Sequence, residues 1–98
     1  MKVCAHMNLG PHVNVYLDAP SISYAVREFR HRLERHYGVV DGSILERTGL
    51  DYAPCLDVYS PCPAATLGLH CSDTENFHDY PMLRYRLGPR GGIVRVPT

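Results

Sequence analysis

The sequence predicts an α+β fold in which one main amphipathic helix packs on a mostly antiparallel sheet of five or six strands. Three observations carry this expectation. Apolar residues alternate with period two near both ends of the chain. Residues 22–37 repeat with a period near 3.6. Clusters of Gly and Pro separate the alternating runs. The 98 residues are expected to form one α+β domain, 1–98, long enough for a single small core.

Each element has a local reason. Val3, Ala5, Met7 and Leu9 alternate with Cys4, His6 and Asn8, and Gly10-Pro11 marks a turn. Residues 12–18 alternate again, with Val13, Val15 and Leu17 on one side and His12, Asn14 and Tyr16 on the other. Together these runs predict an N-terminal hairpin. Asp18 or Ser21 can cap the helix that follows, and Pro20 is tolerated at its start. Ile22, Val26, Phe29, Leu33 and Tyr37 fall on an arc about 80° wide, widened by Ala25 and His36 to about 120°. Gly38 stands where left-handed backbone ends helices, with Val39 available for the closing apolar contact.

Beyond the helix, Ser43-Ile44-Leu45-Glu46 has the form of a capping box, so one helical turn is expected there, with a short strand as the alternative. Residues 55–60 alternate, Leu56 and Val58 against Cys55, Asp57 and Tyr59. Residues 66–71 alternate too, and Ser72 with Glu75 can cap a further turn. A C-terminal hairpin closes the pattern: Leu83, Tyr85 and Leu87, a Gly-rich turn over 88–92, then Ile93 to Val96.

Composition narrows the function. Ten basic and ten acidic residues give zero net charge, which argues against a nucleic-acid coat protein or a polybasic membrane binder. No apolar run is long enough for a membrane helix, and no leader pattern opens the chain, so a cytoplasmic protein is expected. Lys2 is the sole lysine against nine arginines. This skew suits a GC-rich genome, such as that of an actinobacterium or its bacteriophage. Four cysteines allow three disulfide pairings, but in a cytosolic setting four reduced thiols are expected. Cys4-x-His6 and His70-Cys71 could meet across strands, but no Cys-x-x-Cys pair occurs and His70 and Cys71 would point to opposite faces of one strand, so neither metal nor cofactor is expected.

No nucleophile elbow, phosphate loop, dinucleotide fingerprint or His-Glu-x-x-His occurs, and no catalytic residue is assigned. The expectation is a small non-catalytic binding protein acting through protein–protein contacts, and the compositional skew fits a phage or orphan actinobacterial product that engages a host protein. Seven tyrosines and nine arginines are residue types enriched at interfaces. Open sheet edges are also compatible with a homodimer. The first alternative is a phosphoester- or nucleotide-handling site on the open sheet face, with His12, Asn14, Tyr16 and His70 as candidate ligand-binding residues. The second is nucleic-acid binding through the Arg-rich C-terminal hairpin. Candidate interaction residues are Arg84, Arg86, Arg90 and Arg95 on that hairpin and Arg27, His31 and Arg35 on the helix. An even-length hairpin loop would set Arg95 opposite Arg84 or Arg86 and stack like charges. Asp57 or the acids Asp73, Glu75 and Asp79 would then have to offset them.

Overall fold

A computed structural model describes residues 2–41, 43–48, 54–62 and 80–97. In chain order the elements are β1 (Val3–Gly10), β2 (Val13–Ala19), α1 (Ile22–Tyr37), α2 (Ile44–Thr48), β3 (Cys55–Tyr59), β4 (Met82–Leu87) and β5 (Ile93–Val96). The strands form one sheet of order β2-β1-β3-β4-β5, and every neighbouring pair is antiparallel. The α+β expectation therefore holds. The alternating run 66–71 and the capping pair Ser72 and Glu75 lie outside the described residues.

The apolar period sets which face is covered. Val3, Ala5, Met7 and Leu9 from β1 and Leu56 and Val58 from β3 meet Ala25, Phe29 and Leu33 of α1 in one buried cluster. Fully burying a side chain of this size contributes roughly 1.5–3 kcal/mol, so this stripe is the main apolar tie between helix and sheet. Ser21 caps the helix, its Oγ accepting from the Tyr24 amide at 3.1 Å. Gly38 ends it at φ 80°, its amide donating to the Glu34 carbonyl.

Val39 does not close the helix end. It is 69% exposed, and Val40, one residue on, takes the buried position. His36 is likewise exposed rather than part of the apolar arc. The first amide of α2, that of Ile44, donates to the Asp41 carbonyl at 3.2 Å, and Ser43 just before the helix is held by the Asp41 side chain. Asp41 Oδ1 accepts from the Ser43 amide at 2.9 Å and from its hydroxyl at 2.6 Å. Those two bonds hold the Asp41 carboxyl below its ordinary value.

Three expectations change in the hairpins and cysteines. Gly10 stays in β1 and pairs with Val13, so the turn is Pro11-His12 and His12 is a turn residue with φ 61°, not a strand residue. Pro at the second turn position followed by a positive φ is the φ pattern of a type II turn.

The β4–β5 loop, Gly88–Gly92, is odd in length. Arg95 therefore pairs with Tyr85, while Arg84 and Arg86 face Val96 and Val94, and no like-charge ladder forms. This loop is keyed to the rest of the fold. Gly91 has φ 83°, and a Cβ there would lie 2.4 Å from the Asp41 Cα, so glycine is required by conformation and by space. Arg30 Nη1 donates to the Gly91 carbonyl at 3.1 Å.

Cys4 and Cys62 are joined in a disulfide, which overturns the expectation of four reduced thiols. The pairing of β1 with β3 sets Cys4 opposite Tyr59. The Cys62 amide then donates to the Lys2 carbonyl, bringing the two Cα atoms to 4.9 Å, within bridging range. Cys55 is free.

Candidate functional site

The sheet face turned away from α1 is a polar grid whose rows follow from strand register. One row runs Tyr16, His6, Asp57, Arg84, Val96 across all five strands. The next runs Asn14, Asn8, Cys55, Arg86, Val94, and a third runs Asp18, Cys4, Tyr59, Met82. Period-two alternation put these side chains on one face. Cross-strand pairing made them neighbours.

Neighbours in this grid satisfy one another. The His6 and Tyr16 rings stack with centroids 4.6 Å apart and planes 6° apart. His6 Nε2 shares a hydrogen bond with Asn14 Oδ1 at 2.9 Å, which orients the imidazole. Asp57, 8% exposed, receives two hydrogen bonds from Arg84, from Nε at 2.6 Å and from Nη2 at 3.1 Å. The planar fork suits a bidentate carboxylate contact, and Asp57 raises the Arg84 pKa. Asp57 pairs with Arg84 across the β3–β4 ladder, but with Arg95 on the other face there is no stack of like charges for it to offset.

Burial pushes the Cys55 thiol up, with the Asp57 charge adding to the shift, so at neutral pH the thiol stays protonated. A nucleophilic cysteine needs the reverse shift. The Tyr59 hydroxyl is raised for the same reasons, burial first and then Asp57. Among the described residues, no group of three His, Cys, Asp or Glu side chains is arranged to hold a metal ion. No described helix is long and apolar enough to cross a membrane.

Of the four candidate ligand residues, Asn14 and Tyr16 come together on this face, with His6 as the shared contact. His12 sits in the β1–β2 turn, and His70 lies outside the described residues. The seven candidate interaction residues are all exposed but do not form one surface. Arg84 and Arg86 lie on the polar face, Arg90 in the β4–β5 turn, and Arg95 on the opposite side of β5. Arg27, His31 and Arg35 form an i, i+4, i+8 stripe on α1, across the sheet from Arg84 and Arg86.

A second feature was not singled out from sequence. Leu9, Val13 and Val15 floor an open hollow of about 250 Å³ between the start of β2 and the last turns of α1, walled by Arg32, Arg35 and His36. Helical spacing alone places Arg32 and Arg35 on the solvent face and His36 in the apolar arc. Their position over β2 depends on how α1 lies across the sheet. No family model, no curated protein and no solved structure matches the chain.

Proposed function

We propose that the protein is a non-catalytic binding module that captures an extended segment of a partner protein by strand addition to β2. The observation that supports this reading is the difference between the sheet's two edges. Among the described residues β2 and β5 are the outer strands. β5 is short, carries Arg95 and is followed by Pro97, the devices that blunt an edge. β2 has seven residues, with no Lys, Arg or Pro among them. Its outer backbone groups, unpaired among the described residues, and half-buried Val13, Val15 and Leu17 suit an added strand.

The polar face supports binding over catalysis. His6, Asp57 and Arg84 are engaged with neighbours, and the Cys55 thiol stays protonated. Division of the arginines between two sides of the molecule weighs against a nucleic-acid ridge.

The test is an amide-resolved titration with an uncharged palindromic peptide, Gln-Thr-Val-Thr-Val-Thr-Gln. Shifts and slowed hydrogen exchange confined to β2 are expected, with loss of both in the Asn14→Lys/Tyr16→Lys variant, checked for folding by circular dichroism. A response elsewhere on the protein, or an unchanged response in the variant, refutes strand addition at β2.

A further inference from the structure

We infer that the segment added to β2 carries a carboxylate side chain that enters the basic hollow between β2 and the C-terminal half of α1. This rests on the strand-addition reading and gives its ligand a chemistry. The hollow adjoins the first residues of β2, since Val13 and Val15 form its floor with Leu9. The same junction is tied by the Tyr37 hydroxyl, which donates to the Leu9 carbonyl. A strand paired to the outer edge of β2, which is open among the described residues, lies about 4.8 Å further out. Every second side chain of that strand then points to the α1 side, where the hollow opens.

The walls select charge. Arg32 Nε and Arg35 Nη2 both donate to one oxygen, Glu28 Oε1, at 3.1 and 3.3 Å. One carboxylate thus serves two guanidiniums, leaving one positive charge in excess, and His36 adds a third nitrogen-bearing wall. Glu34, the other acid of α1, is paired with Arg30. A carboxylate rooted in an apolar strand satisfies both floor and walls.

Strand β2 of a second copy does not supply that group. Two-fold antiparallel pairing of β2 centred on Tyr16 sets Val13 and Val15 opposite Ala19 and Leu17 of the other copy. Asp18, the acid within β2, belongs to the opposite face with Asn14 and Tyr16. The occupant that fits is therefore a foreign segment alternating Val-like and acidic residues on one side.

The experiment compares Glu-Thr-Val-Thr-Val-Thr-Glu with its Gln counterpart, binding each to the full chain. At low salt the Glu peptide is expected to bind about tenfold more tightly, the gain of one charge-assisted hydrogen-bond set. The gap should close in the Arg32→Gln/Arg35→Gln variant and shrink at high salt. Equal affinity of the two peptides, with β2 amides still responding, overturns the carboxylate and leaves strand addition standing. No β2 response to either peptide overturns both. A dimer of the protein alone that Asn14→Lys/Tyr16→Lys dissolves assigns the edge to a second copy and overturns the inference.

Discussion

The two faces of the sheet are held by different physics. Toward α1, Met7, Phe29, Leu33, Leu56 and Val58 are fully buried and make contacts that any well-shaped hydrocarbon could make. On the other face, a small apolar cluster of Cys4, Tyr59 and Cys62 with Tyr80 and Met82 covers one end, and the rest of the cohesion comes from named pairs: a Cys4–Cys62 bridge, an Asp57–Arg84 fork, a His6–Tyr16 stack. Non-directional attraction tolerates substitution by similar volume. Pairwise contacts fail when either member is lost. The faces should therefore respond differently to mutation and solution conditions.

The largest expected effect is on the apolar side. Phe29→Ala should lower stability by about 3–5 kcal/mol, read from urea denaturation, because the residue is fully buried under the helix. Next is the bridge, which closes a sequence separation of 58 residues. Its reduction, or the Cys4→Ala/Cys62→Ala change, should cost about 2–4 kcal/mol. Equal denaturation midpoints with and without reductant would show that the polar face does not depend on it.

Arg84→Gln should cost about 1–2 kcal/mol, because it leaves the nearly buried Asp57 with a weaker partner while water compensates part of the loss at the half-exposed Arg84 site. Arg95→Gln, paired across from Tyr85, should cost about 0.5 kcal/mol or less. Equal costs would mean that the cross-strand fork adds nothing.

A shallower effect is expected from pH. Cys55 and Tyr59 have raised values in the fold, so the unfolded chain loses those protons first as pH rises. The native state then holds more protons, and stability falls with increasing pH, starting near the ordinary thiol value of about 8.5. Alkylation of Cys55 in the native protein should likewise be slow at neutral pH. A flat stability profile to alkaline pH, or fast alkylation, would contradict this. The smallest effect belongs to Arg27→Ala on the solvent side of α1, about 0.5 kcal/mol or less.

The same contrast explains what was legible in the chain. The bounds of α1 follow from its apolar stripe, Ser21 and Gly38, all local signals. Strand faces follow from period two, so His6, Asn14, Tyr16 and Arg84 could be placed on one side of a sheet. Partners could not be read, because they depend on which strands adjoin and in what register. The Gly88–Gly92 loop accepts either parity, and its odd length moved Arg95 to the other face. Gly10 kept to the strand and put His12 in a turn. The Cys4–Cys62 bridge required β3 beside β1, a neighbour distant in sequence. The hollow beside β2 required the lie of a helix, which no period encodes.

That distant neighbour has a consequence for synthesis. β1 lies between β2 and β3, and its two partners leave the ribosome far apart in time. The β1–β2 hairpin and α1 are complete by Tyr37, yet Cys4 waits for Tyr59, over half the chain later. During that interval β1 has β2 as its available native partner, and its other side waits for β3. A strand edge in that state is a template for neighbouring nascent chains on the same message. The rate at which residues 38–59 are translated therefore sets how long the growing protein is exposed to mispairing, independently of how stable the finished fold is.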